Sequence, residues 1–213
     1  MTEEQKIKTR ERNNQLIESR QYRFNSWLPI LEDPNTRTIE EIKGRMGVMN
    51  ALINISFEAP VTIIRKWIDQ NGLTQHLSNW EHEILLKDND ELTEYEINSL
   101  RWYLEGLWAL MWATGLISHL DETQWCSDEM ASMLPNLEKN DDNEKITQLS
   151  TLKTDDEMYE MLDLYYRLHW YCVDERIKGQ QAKINEGLVY ERRKALEWLI
   201  NKNSDWDNIE MST

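Results

Sequence analysis

Cysteine is nearly absent: Cys126 and Cys172 are the only two in 213 residues, too few and too far apart for a disulfide framework or a four-ligand zinc site. They read as reduced core thiols. Basic residues are also in short supply. The 24 Lys and Arg stand against 39 Asp and Glu, a net charge of −15, so the chain lacks the basic footprint that nucleic acid or an anionic membrane requires. No long apolar run occurs. The longest charge-free stretch, Gly106 to Leu120, falls short of the roughly 20 residues that cross a bilayer and reads as a buried helix. The start, Met1-Thr2-Glu3-Glu4-Gln5-Lys6, has no apolar centre of a signal peptide, and the expectation is a cytoplasmic protein. Missing too are a phosphate-cradling glycine loop, a nucleophile elbow and a His-Glu-x-x-His pair. There is no Glu-x-x-His of the di-iron kind, and His76, His82 and His119 are assigned to the surface. Neither a metal nor a cofactor is expected.

What the chain does hold is tryptophan, ten against two phenylalanines. Each brings a large apolar surface and one N–H that needs an acceptor, so the expectation is a Trp-packed core. Four pairs, Thr38/Glu41, Ser78/Glu81, Thr93/Glu96 and Thr154/Glu157, have the spacing of a capping box and predict four helix starts. Apolar residues follow at helical spacing: Ile42, Met46, Met49 and Ile53 behind Thr38, and Leu100, Leu104, Leu107 and Met111 behind Thr93. Pro60 opens a further short helix that Gly72 closes. A helix over 94–118, a long one from Thr154 to Gly179 and a last one over 187–202 complete the set. No segment alternates as a half-buried strand does. The fold class is therefore all-α, one domain over 1–213, a multi-helix bundle with a Trp-rich core. Residues 1–24 form a peripheral N-terminal helix and connector, with only Ile7, Leu16 and Ile17 to dock it. Residues 136–150 are a polar loop, and the stretch Pro135 to Asn143 is the segment most open to local disorder.

Several polar groups fall on apolar helix faces. His169 lies in the stripe of Met158, Met161, Leu162, Tyr165 and Cys172, and Arg192 lies among Leu188, Val189, Ala195, Leu196 and Leu199. A polar group held in a core needs a partner, since burying it unpaired costs on the order of 2 to 7 kcal/mol. Glu105 is either at the rim, paired to Arg101, or buried against a cation of another helix. Arg192 either lays its stem on apolar surface with its head in water or supplies that cation through its planar fork of donors. The sharper reading is a Glu105–Arg192 pair with His169 alongside, near Trp108, Trp112, Trp170 and Trp198. On another face of the long helix, Asp163, Arg167 and Asp174 read as a salt-bridged outer surface; a cleft lined by two carboxylates and an Arg is the other reading. His169, Glu105 and Asp163 could serve acid–base chemistry, but no residue is singled out as catalytic.

Four separated stretches, Trp102 to Ile117, Asp163 to Trp170, Val189 to Leu199 and Trp206-Asp207, together resemble a bacterial domain-of-unknown-function family, numbered four-two-seven-two. That family's Trp-Arg-x-Glu-Ala-Leu-Trp pattern meets Arg101-Trp102-Tyr103-Leu104-Glu105-Gly106-Leu107-Trp108 here, with Glu105 matched and Gly106 in place of Ala. Its Glu-Arg-His-x-Ala-Leu-Asn-Trp meets Glu191 to Trp198, where Arg193 and Glu197 depart. The resemblance implies single-domain organisation but no reaction.

Two functions follow as expectations. The first is a binding protein that offers its acidic surface to a basic protein, for example neutralising a toxin. The alternative is a small-molecule binder or hydrolase with a pocket where Glu105, His169 and Arg192 meet.

Overall fold

Each of the four Ser/Thr–Glu pairs caps a helix, with hydroxyl and carboxylate both satisfying backbone N–H groups at the first turn. The computed structural model describes residues 1–213. Its helices are α1 (Glu3–Ser19), α2 (Ile39–Ile55), α3 (Val61–Gln70), α4 (Asn79–Leu85), α5 (Glu94–Ala113), α6 (Met130–Met133), α7 (Glu144–Thr147), α8 (Asp155–Ile177) and α9 (Glu186–Ile200). Strands are absent, apart from one isolated parallel bridge between Asn35 and Asn201. The protein is all-α. Thr2/Gln5 caps α1 in the same manner, a fifth box in which Gln replaces Glu.

Packing follows the apolar faces. α9 lies between α5 and α8; α1 covers the far side of α8, while α2, then α3, then α4 continue outward from α5. One contiguous core of 47 buried apolar side chains runs from Ile17 to Trp206. α2 is buried on nearly every side, which brings Arg45 and Lys43 into the interior along with Ile42, Met46 and Met49. Trp67, Trp112, Trp198 and Trp206 are buried. Trp206 meets Trp198 and Tyr103 edge-on, at 5.7 and 5.9 Å between ring centres, the geometry that ring quadrupoles favour.

Three expectations are corrected. α5 stops at Ala113 and does not reach 118: the Thr114 hydroxyl bonds back to the carbonyls of Leu110 and Met111, and Gly115 turns the chain at φ +75°. Residues 136–150 are anchored rather than loose. Leu137 and Ile146 are buried, α7 forms within the segment, and the Trp67 indole N–H donates to the Asp141 carbonyl at 2.8 Å. Two isolated apolar anchors leave no period for a pattern to register. His76 is half-buried instead of exposed, with its ring so close to α2 that a Cβ on Gly44 would come within 2.3 Å of it; His82 and His119 are exposed.

The N-terminal helix docks by polar contacts more than by apolar ones. Ile17 is its one fully buried apolar residue, whereas Lys6, Thr9, Asn13 and Asn14 are buried beside it. Lys6 donates to the Leu31 carbonyl at 3.2 Å and pairs with Asp33 at 2.8 Å.

Candidate functional site

Glu105 and Arg192 meet. Both lie on helix faces turned into the core, Glu105 on α5 and Arg192 on α9, and Arg192 is fully buried. Arg192 Nε donates to Glu105 Oε2 at 2.8 Å. Its remaining donors are taken by the Asp121 carbonyl at 2.6 Å, the Tyr165 hydroxyl at 3.0 Å and the Gln124 carbonyl at 2.7 Å. Glu105 Oε1 accepts the Cys126 backbone N–H at 2.9 Å. The pair therefore ties α5, α8, α9 and the 121–126 segment into one network with its donors engaged. Burial, with the Glu105 charge adding to it, pushes the Cys126 thiol up to about 12, and Tyr165 is likewise raised to about 12 by burial.

His169 is not part of that network. It points instead to Arg193, whose Nη1 lies 2.7 Å from His169 Nδ1, so the imidazole accepts there and is neutral. Burial first, then the Arg193 and Arg176 charges, lowers its pKa to about 4. Arg193 also bonds Glu197 Oε1 through Nε and Nη2, each at 3.1 Å, and the carbonyls of Met211 and Ser212 at 3.2 and 3.0 Å. Arg193 and Glu197, the two departures from the resembled pattern on α9, thus pair with one another.

The four tryptophans do not wall a pocket around these groups. Trp198 sits beside Trp206 with the Arg37 guanidinium 4.2 Å from its ring centre, and Trp112 lies under Lys153. Trp108 and Trp170 pack half-buried against the core. None of the five main clefts is lined by Glu105, His169 or Arg192. The expected pocket there is filled, because the Arg192 head is surrounded by protein acceptors.

The face of Asp163 and Arg167 is corrected as well: both are buried, not exposed. Arg167 grips Asp163 through Nε at 2.8 Å and Nη2 at 2.7 Å, and Asn13 of α1 donates to Asp163 Oδ2 at 2.9 Å. The physical reason is α1, whose polar side chains cover what would otherwise be a solvated stripe. Asp174 stays outside, between Arg23 and Lys178. Both thiols are free. No group of three or more His, Cys, Asp or Glu converges as a metal site, and no helix is long and apolar enough to cross a membrane.

A further buried ion pair escaped sequence reasoning. Arg45 of α2 bonds Glu81 of α4, Tyr103 donates its hydroxyl to the same Glu81 oxygen at 2.8 Å, and the Trp206 indole N–H donates to the Tyr103 hydroxyl at 3.1 Å. The signal was available, since Arg45 interrupts an apolar helix as Arg192 does. Glu81 was hidden because it also closes a capping box, with Oε2 on the Ser78 N–H at 2.8 Å.

One cleft, of about 450 Å³ between α4, α5 and α9, is lined by Trp80, Tyr95, Ser99, Trp102, Tyr103, Tyr190, Glu191, Lys194 and Asp207. Tyr95, Ser99 and Trp102 are spaced four and three apart on α5, and Tyr190 and Lys194 four apart on α9, so each helix offers it one stripe. The Glu191 carboxylate has neither hydrogen-bond nor ion-pair partner, and burial raises it to about 7 against the opposing pull of Lys194. Sequence reasoning named Glu191 only as the start of the resembled pattern and gave it no role in a site.

A family model described as "Domain of unknown function (DUF4272)" matches residues 9–209. No curated protein and no solved structure matches the chain.

Proposed function

We propose that this chain, which belongs to the domain of unknown function family DUF4272, is a binding protein that holds a basic protein on its acidic surface. Neutralising a basic toxin is the concrete version. The observation that carries the reading is where the charges lie. The buried cations Lys6, Lys43, Arg45, Arg167, Arg192 and Arg193 are nearly matched by the buried carboxylates Glu81, Glu105, Glu122, Asp163 and Glu175, so burial consumes both signs alike. The acidic excess, −15 over the whole chain, therefore lies on residues that are not buried, where it speeds encounter with a positive partner and disfavours anionic ones. Two free thiols suit a reducing compartment, and we place the protein in the cytoplasm on that ground.

The pocket reading draws no support from the Glu105–Arg192 region, which lines none of the main clefts. Co-purification from the native host at low and moderate salt tests the proposal, with the partner identified and the complex rebuilt from purified components. The expected result is a basic protein whose affinity falls as salt rises. Absence of any specific partner, or one indifferent to salt, contradicts it.

A further inference from the structure

We infer that the cleft between α4, α5 and α9 seats an arginine or lysine side chain of a basic protein partner, taken up among the rings of Trp80, Trp102 and Tyr190 and neutralised by Glu191. This rests on the reading of the chain as a binder of a basic protein and names the contact that gives it specificity. Aromatic faces attract a guanidinium or ammonium ion through the ring quadrupole, and more strongly where water is excluded. A carboxylate at the same place supplies the counter-charge.

Glu191 is the cleft's uncommitted charge. Asp207 already accepts the Trp80 backbone N–H at 2.9 Å. Lys194 carries its ammonium to 4.9 Å from the Trp206 ring centre and acts on Glu191 only through its charge, beyond ion-pair distance. Two carboxylates therefore face one lysine in the cleft, and one of them has no partner.

The rings are set before any partner arrives. Trp102 lies against α9 where residue 187 has no side chain: a Cβ on Gly187 would come within 2.5 Å of the indole. Tyr190 stands edge-on to His169 at 5.4 Å, and Trp80 edge-on to Tyr103 at 6.4 Å. Preorganised walls spare the partner the cost of ordering them.

A protein-borne cation fits better than a free one because the aromatic surface continues past the cleft. Tyr95 is 76% exposed at its rim, and Trp125, 56% exposed, lies beside Trp102 at 5.8 Å. These give apolar contact area to residues flanking the inserted side chain, which a free amine would leave unused.

The test is a titration of the full chain with acetylated, amidated hexa-arginine and with N-acetylargininamide, read by tryptophan fluorescence and calorimetry at two salt concentrations. The peptide is expected to bind saturably and more tightly than the single amino-acid amide. Glu191→Gln should weaken it about tenfold, Trp102→Leu should weaken it also, and Glu18→Gln, at an exposed position of α1, should leave affinity within about twofold. Equal effects of Glu191→Gln and Glu18→Gln overturn the cleft as the seat while leaving the acidic-surface reading intact. N-acetylargininamide binding as tightly as the peptide overturns the protein source of the cation. No saturable binding overturns the inference outright, and co-purification then decides the broader reading by itself. Thermal melts of each variant guard against loss of folding, and Glu191→Gln is expected to melt no lower than the parent.

Discussion

Replacing Glu105 by alanine strands a buried cation. Arg192 is fully buried and Glu105 nearly so, so the guanidinium would be left with only the Asp121 and Gln124 carbonyls and the Tyr165 hydroxyl. Removing one member of such a pair costs about 3 kcal/mol or more. The Cys126 N–H also loses its acceptor, which adds about 1 kcal/mol. The sum, about 4 kcal/mol, corresponds to a fall in melting temperature of roughly 8 to 16 °C for a domain of this length. The double variant Glu105→Leu/Arg192→Met removes both charges and keeps apolar volume. It should lie within about 2 kcal/mol of the parent, because a filled apolar core dispenses with both desolvation penalties. Urea unfolding followed by tryptophan fluorescence measures Glu105→Ala, the double variant and its two singles, Glu105→Leu and Arg192→Met, and the cycle closed by the last three with the parent isolates the coupling, expected near 3 kcal/mol. A Glu105→Ala change within about 0.5 kcal/mol, or a double variant worse than the sum of its singles, refutes the clamp.

Other consequences follow from the same geometry. His169 binds a proton near pH 4 when folded and 6.5 when unfolded, so its contribution is intact above pH 6.5 and is lost as pH falls toward 4, up to about 3 kcal/mol. His169→Gln should flatten the urea midpoint's pH slope in that window, and an unchanged slope counts against a buried neutral imidazole. Tyr103→Phe takes a donor from Glu81 and an acceptor from the Trp206 indole; it should cost about 1 to 3 kcal/mol in urea unfolding, and no loss would mean that water replaces the hydroxyl. Asn13→Ala releases α1 from Asp163 and the Glu160 carbonyl. Amide exchange in α1 should speed up about tenfold while the core amides stay unchanged; a uniform effect would show that α1 unfolds only with the whole.

The helices were legible because their signals are local. A capping box fixes a start within four residues, and Ile42, Met46 and Met49 or Leu100, Leu104 and Leu107 repeat the helical period wherever the partner lies. The ends were less legible: the early stop at Ala113 depends on the Thr114 hydroxyl bonding backwards, which competes with propensity. The Glu105–Arg192 pairing was visible because two charges on apolar faces demand one another. His169 was misplaced for a geometric reason, since Arg192 and Arg193 stand about 100° apart on α9 and only packing decides which one it meets. Asp163 and Arg167 were misread because four-residue spacing looks the same on a solvated face as beneath another helix. The covering α1 holds through Asn13 and Lys6, residues that pattern reading counts as solvent-facing. Glu191 was missed because an unpaired carboxylate leaves no spacing signal.

Glu191→Gln, assayed at pH 8 and pH 4.5 for both stability and hexa-arginine affinity, separates a binding carboxylate from one more clamp. The folded pKa of Glu191 is raised from 4.5 to about 7 by burial, so its ionisation weakens the free protein as pH rises through that range and leaves it untouched below pH 4.5. The glutamine variant should be more stable than the parent by about 1 to 2 kcal/mol at pH 8, a value reduced for the solvent that still reaches the cleft. The two should converge at pH 4.5, and peptide affinity at pH 8 should fall about tenfold. A variant less stable at pH 8 with affinity unchanged would contradict this, and would make Glu191 a structural residue like Glu105.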